Sequence, residues 1–142
     1  MWQEFCYTSQ IAVQLRREAT TPKVSSCESF YKVFLHILSH PVFKNGEWIY
    51  ININQQSSND AWRLIAYRWQ LGNENRLCVI NYSDAQASGS VIASNAQTKN
   101  GNDTIPVTDL LTGTIYYRSA SQMRTTGLFV IIQPWNAQIF TY

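Results

Sequence analysis

From Glu47 to Tyr142 the apolar residues recur with a period near two, the spacing of a strand with one face turned inward. Strand-like runs fall at Trp48–Asn54, Arg63–Gln70, Arg76–Tyr82, Gly89–Ala93, Thr104–Val107, Thr114–Arg118, Leu128–Gln133 and Gln138–Tyr142. Turn-forming residues separate them: Leu71-Gly72-Asn73, Ser83-Asp84, Asn100-Gly101-Asn102, Thr112-Gly113 and Pro134-Trp135-Asn136. Short strands punctuated this often predict a mainly β fold, an antiparallel β-sandwich of about seven to eight strands and Greek-key type. No helix-length pattern lies between the runs, so a parallel α/β fold is not expected.

Residues 1–46 read differently, as a helical segment ahead of a β-domain at 47–142. Gln10 to Arg17 carries a weak amphipathic pattern that Thr20-Thr21-Pro22-Lys23 breaks. A stronger helix is expected over 28–40. Ser25 or Ser26 can cap it, and Glu28 meets the positive end of the helix dipole. Phe30, Val33, Phe34, Ile37 and Leu38 fall at i, i+3, i+4, i+7 and i+8, one apolar face through which the helix should pack. His40-Pro41 ends it, because the residue before proline leaves the helical region.

Three runs break the alternation: Leu64-Ile65-Ala66-Tyr67, Leu77-Cys78-Val79-Ile80 and Leu128-Phe129-Val130-Ile131-Ile132 are apolar at every position. A half-exposed antiparallel strand should alternate. These strands are therefore expected to be covered on both faces, by the opposite sheet on one side and by the helices, a partner chain or another domain on the other.

Composition narrows the function classes. The chain is 45% hydrophobic and 13% aromatic, enough for a core and too aromatic for a disordered chain. Only 14% is charged, and Ser, Thr, Asn and Gln together make 46 of 142 residues, which suits strands better than a helical bundle. Net charge is +2 with scattered basic residues, so no nucleic-acid footprint is expected. No run of about 18 apolar residues exists, so no membrane-spanning helix is expected. Met1-Trp2-Gln3-Glu4 lacks the basic and apolar regions of a signal peptide, which points to the cytoplasm. The sequons at Asn81 and Asn102 would then stay unmodified. Cys6, Cys27 and Cys78 are odd in number and lack a Cys-x-x-Cys spacing, so neither a disulfide scaffold nor a zinc knuckle is indicated. Cys78, inside an apolar run, reads as a small buried hydrophobe.

No catalytic set emerges. His36 and His40 share a helix face, but Ile37, Leu38 and Ser39 between them leave no glutamate for a His-Glu-x-x-His metal site. Ser88-Gly89-Ser90 is a turn without the flanks of a nucleophile elbow. Asp60, Asp84, Asp103 and Asp109 all fall in expected turns, where aspartate serves the backbone. No catalytic residue, metal or cofactor is assigned, and a hydrolase with an unrecognised carboxylate pair is the weakest reading. Flat aromatic rings remain, and these can stack on the C–H faces of sugars. Most should fill the core. Trp62 is the best candidate for a carbohydrate contact, since it follows the polar loop Gln55–Asp60. Trp69 and Tyr117, near strand ends, come next.

Several segments taken together resemble a known family. Phe30-Tyr31-Lys32-Val33-Phe34 through His40-Pro41-Val42-Phe43-Lys44-Asn45-Gly46-Glu47-Trp48 is similar to the last barrel helix and linker of α-amylase-family enzymes, glycoside hydrolase family 13. Arg76-Leu77-Cys78-Val79-Ile80-Asn81-Tyr82-Ser83-Asp84 resembles a strand of that family's C-terminal domain. Asp109-Leu110-Leu111-Thr112-Gly113, Tyr116, Arg118, Gly127-Leu128-Phe129-Val130, Pro134-Trp135 and Phe140 resemble its closing strands. The likeness runs in order over residues 28–142. The family often has glycine after the Pro-Trp pair; here Asn136 stands, a residue tolerant of a left-handed turn.

The resemblance implies a C-terminal β-domain without the catalytic (β/α)₈ barrel, so none of the family's catalytic positions carries over. It implies a non-catalytic accessory or structural domain, or alternatively an α-glucan-binding module for starch or glycogen. A separate barrel domain is the expected partner. An apolar face left without its barrel would also favour a homodimer, through helix 28–40 or the doubly apolar strands.

Overall fold

A computed structural model describes residues 25–54, 58–99 and 101–142. The chain divides into two compact units, 1–40 and 41–142. The weak helix expected at Gln10–Arg17 lies outside the described residues. In the first unit, α1 spans Ser25–Leu38. Its expected apolar face is only partly covered: Ile37 is buried, but Phe30 and Val33 are exposed. Periodicity marks which face is apolar and leaves its depth of cover open. The rings answer one another instead, Phe30 stacking on Phe34 at 5.6 Å and meeting Tyr31 edge-on at 5.7 Å. Glu28 and Lys32 pair across one turn at 3.0 Å, an exposed contact of small energetic weight. Cys27 is disulfide-bonded, a bond that the odd count and wide spacing of the cysteines did not suggest. Cys78 is free and buried.

The second unit begins with a short helix, α2 (Val42–Asn45). Nine strands follow among the described residues: β1 (Glu47–Ile51), β2 (Ile53–Asn54), β3 (Leu64–Leu71), β4 (Glu74–Asn81), β5 (Ala87–Val91), β6 (Thr104–Asp109), β7 (Ile115–Ser119), β8 (Leu128–Ile132) and β9 (Ala137–Thr141). They form a six-stranded sheet, β1-β3-β4-β9-β6-β7, and a three-stranded sheet, β2-β5-β8. Every pairing is antiparallel. The run expected as one strand at Trp48–Asn54 is divided at Asn52. Ile51 ends in the large sheet and Ile53 starts the small one, so the chain crosses between layers while both isoleucines stay buried.

The core is the space between the sheets. Ile51, Leu64, Ala66, Leu77, Val79 and Phe140 face it from the large sheet. Ile53, Ala87, Val91, Leu128, Val130 and Ile132 answer from the small one. A helix not foreseen in the sequence, α3 (Ala120–Thr125), closes one side with Ala120 and Met123. Ser119 caps it, its Oγ accepting from the Gln122 amide at 3.0 Å. The Asp103 carboxylate accepts from the Ser121 amide at 2.8 Å and from the Ser119 and Ser121 hydroxyls.

Turn chemistry follows the sequence at Thr112-Gly113. Gly113 has φ 74°, and its amide donates to the Asp109 carbonyl at 2.7 Å. The Pro134 turn is different from expectation. Asn136 is not the left-handed residue; Trp135 is, at φ 53°. The Asn136 amide donates to the Gln133 carbonyl at 3.3 Å, closing a four-residue turn. With proline at the second position and positive φ at the third, the turn is of type II. No helix among the described residues is long and apolar enough to cross a membrane.

Candidate functional site

Register lays out the outer face of the large sheet. Pairing aligns Trp48, Trp69 and Arg76, and the side chain of Arg76 reaches Thr141 at 3.2 Å. Thr141 pairs with Thr108, and Thr108 with Ile115, so one row crosses all six strands. A second row holds Tyr50, Tyr67, Cys78 and Ile139. A third holds Ile65, Ile80 and Ala137. This face is aromatic and apolar on β1 and β3, while Arg76, Thr141 and Thr108 make the first row polar across the middle of the sheet. Trp48, Tyr50, Ile65, Ile115 and Tyr117 are exposed, whereas Cys78 and Ile139 are buried. At one end α2 packs against β3 and β4, burying Val42 and bringing Phe43 edge-on to Trp69 at 6.2 Å.

The doubly apolar runs thus divide. In β4, Leu77, Cys78 and Val79 are all buried. In β8, Phe129 and Ile131 are exposed, because β8 is an edge strand of the small sheet and its outer face carries no described layer. Burial raises two acid groups in the middle of the outer face. The Tyr67 hydroxyl is pushed up to about 12, chiefly by burial with a further rise from Cys78. The Cys78 thiol is pushed up to about 11 by burial. Neither is ionised at neutral pH, so no nucleophile is prepared here.

The aspartates serve structure at two of the four turn positions. Asp109 is buried, accepting from the Leu111 amide at 3.1 Å and the Thr112 hydroxyl at 3.0 Å. The hydroxyls and amide around Asp103 hold its carboxyl below the ordinary range. Among the described residues no cluster of three or more His, Cys, Asp or Glu could hold a metal ion.

The three residues expected to touch sugar stand apart. Trp69 and Tyr117 share the outer face but sit on β3 and β7, four strand spacings or roughly 19 Å apart. Trp62 lies in a 3₁₀ turn (Ala61–Arg63) at the other end of β3, roughly 23 Å from Trp69 along the strand. Trp62 is 68% exposed, with the Arg63 guanidinium 5.0 Å from its ring centre.

At the Trp62 end two further aromatics meet. Tyr82 and Trp135 are 71% and 66% exposed, with ring centres 5.5 Å apart and planes at 80°. Their backbones are pinned. The Tyr82 amide donates to the Arg63 carbonyl at 3.1 Å, and the Trp135 amide to the Ser83 carbonyl at 3.1 Å. Buried Asn81 ties both loops together. Its Nδ2 donates to the carbonyls of Ala85, Ile132 and Gln133 at 2.7, 3.0 and 3.1 Å, and its Oδ1 accepts from the Ser83 hydroxyl at 2.7 Å. The sequon at Asn81 is therefore consumed in structure. Sequence reasoning passed over this pair; the strain-prone residue in the Pro-Trp-Asn turn was the available signal.

A polar cavity of about 220 Å³ opens at the opposite end, lined by Gln70, Asn75, Asn95, Lys99 and Tyr142 among others. Behind it Arg68 is buried, giving Nη1 to Asn95 Oδ1 at 2.6 Å, which also accepts from the Tyr142 hydroxyl at 2.7 Å. Among the described residues no carboxylate pairs with Arg68.

These features define a β-sandwich with exposed aromatic and apolar side chains on its large sheet and no assembled catalytic centre among the described residues. The fold is that of part of several α-amylases. A noncanonic maltogenic α-amylase, AmyB from Thermotoga neapolitana, superposes with a TM-score of 0.69 at 20% identity, over 99% of this chain and 31% of that one. The α-amylase of Geobacillus thermoleovorans, solved with acarbose, gives 0.63 at 9% identity, over 89% of this chain and 25% of that one. AmyP in complex with maltose gives 0.59 at 14% identity, over 82% and 20%. The chain thus spans a third or less of these proteins. No protein-family model and no curated protein matches the sequence.

Proposed function

We propose that the chain acts as the non-catalytic C-terminal β-domain of an α-amylase-like protein, seating the outer face of its six-stranded sheet against a (β/α)₈ barrel. The observation that carries this is the row structure of that face. Its exposed Trp48, Tyr50 and Ile65 lie on the neighbouring strands β1 and β3, on a sheet whose other side already holds the core. Such a surface is expensive to leave in water and marks a protein contact. The fold's occurrence as part of amylase chains supplies the partner class.

Without that barrel, the same face would pair two chains in an isologous dimer. Catalysis is not assigned to this chain.

The test is association with an α-amylase barrel stripped of its own β-domain, followed by light scattering and calorimetry. Wild type should bind the barrel, or form dimers alone, and Tyr50→Glu with Ile65→Glu should abolish both. A monomer that ignores the barrel would overturn the reading. So would hydrolysis of starch or a chromogenic maltoside above background by the chain alone.

A further inference from the structure

We propose that the polar cavity at the end of the sandwich away from Trp62 binds a small free oxyanion of phosphate size, its charge met by Arg68 and Lys99.

The site follows from where β3 puts a charge. Alternation turns Leu64, Ala66, Arg68 and Gln70 to one face, and Leu64 and Ala66 belong to the core between the sheets. Arg68 therefore carries its guanidinium into the margin of that core, where it is 6% exposed. A guanidinium keeps its proton at any ordinary pH. Burying such a charge is costly unless an opposite charge meets it. Among the described residues no carboxylate pairs with Arg68, and its Nε has no hydrogen-bond partner. Its Nη1 meets only neutral groups, Asn95 Oδ1 at 2.6 Å and Ser94 Oγ at 3.5 Å. An apolar residue would fill this position at less cost, so the charge calls for an anion within its reach.

Asn95 carries that charge to the cavity wall. Its Oδ1 accepts from Arg68 Nη1 and, at 2.7 Å, from the Tyr142 hydroxyl; arginine can only donate, so the carboxamide has one orientation. These bonds polarise the Nδ2 end, which has only a 3.5 Å contact with Gln70 Oε1. Asn95 and Gln70 line the cavity with Asn75, Gln97, Thr98 and Lys99. Amide and hydroxyl donors thus ring the space, and no Asp or Glu lies in its wall. Lys99 adds an exposed ammonium that no described carboxylate pairs. A terminal carboxylate at Tyr142, held by Asn75 Nδ2 at 2.8 Å, offsets one of the two positive charges and leaves the other.

Size selects the ligand. The cavity of about 220 Å³ has room for about seven waters at ~30 Å³ each, and falls short of the roughly 300 Å³ at which pockets for drug-sized molecules begin. A halide would fill one water's place and leave most of the donors unmet. A tetrahedral oxyanion turns acceptor oxygens towards several of them at once.

The experiment titrates the full chain with sodium phosphate, and in parallel with sodium chloride at matched ionic strength. Side-chain amide shifts in proton–nitrogen correlation spectra and calorimetry read the binding. Phosphate should saturate at millimolar concentration, move the Asn95 side-chain amide and raise the melting temperature as its concentration rises. Lys99→Gln should weaken it about tenfold or more, the loss expected for a hydrogen bond to a charged group. Arg68→Met removes the buried charge and should abolish binding. Arg118→Gln, which removes an exposed charge on β7, should leave it unchanged. No saturation by phosphate would overturn the site, and so would shifts that follow chloride equally. An unchanged phosphate affinity in Lys99→Gln would overturn it too; that substitution is on the surface and keeps the fold whatever Arg68→Met does. Failure of any kind here leaves barrel association untouched, since that is read through Tyr50 and Ile65 on the outer face of the sheet.

Discussion

Replacing Trp135 by alanine and, separately, by glycine divides what its backbone costs from what its ring contributes. Both variants lose the edge-on contact with Tyr82, which is worth about 0.5–1.5 kcal/mol in a well-ordered pair and sits at the lower end for exposed rings. Only glycine also removes the Cβ, and with it the penalty of a left-handed backbone, about 1–2 kcal/mol. Glycine gives back about 0.5–1 kcal/mol through the freedom it has when unfolded. The glycine variant should therefore be more stable than the alanine variant by about 0.5–1 kcal/mol, and close to wild type. For a unit of about 100 residues that is a separation of roughly 2–8 °C in melting temperature. Thermal unfolding followed by near-ultraviolet circular dichroism measures it. An alanine variant that melts at or above the glycine variant would refute the strain assigned to this turn.

The remaining predictions concern the scaffold. Gly127→Ala should cost about 2 kcal/mol or more in urea unfolding, because φ is 97° and a Cβ would lie 3.0 Å from the backbone of Val91; an unchanged midpoint would contradict that packing. Asn81→Ala leaves three carbonyls without their shared donor and should cost about 2–4 kcal/mol, while also loosening the Tyr82 and Trp135 loops in hydrogen exchange. The Asp103 carboxyl is held below its ordinary range, so its contribution is present above the unfolded value near pH 4 and fades as pH falls through the lower folded value. Wild type should lose stability over that acid window and Asp103→Asn should show a flatter profile; parallel profiles would remove the role given to this carboxylate.

Legibility tracked locality. The strands β3, β4, β6, β7 and β8 fell close to their expected bounds because alternation and turn residues are local signals. Asp109-Leu110-Leu111-Thr112-Gly113 was readable for the same reason. The helix α3 was not, since its inward residues are only Ala120 and Met123, too few to set a period. Leu77–Ile80 and Leu128–Ile132 look alike as strings, yet the first is buried almost throughout and the second presents Phe129 and Ile131 to solvent. What lies across a strand is decided by distant pairings, and no window of sequence contains it. The distances between Trp62, Trp69 and Tyr117 were illegible for that reason as well. Trp62 was singled out by a neighbouring polar loop, while the ring pair beside it joins residues 82 and 135, brought together by the Asn81 bonds and the β4–β9 ladder.

The position of β9 sets an order of events. It lies between β4 and β6, so the large sheet is two separate pieces, β1-β3-β4 and β6-β7, until Ala137–Thr141 inserts. Each piece can form from hairpins of nearby residues as the chain leaves the ribosome. Their union waits for the last strand, whose partners on β4 are some sixty residues earlier. During that interval β4 and β6 each present an open edge of unpaired amides and carbonyls, the kind of edge on which chains aggregate. Folding speed in this domain should accordingly be governed by one long-range closure rather than by the hairpins. A peptide matching residues 137–142, added during refolding, would compete for that slot and trap the open sheet.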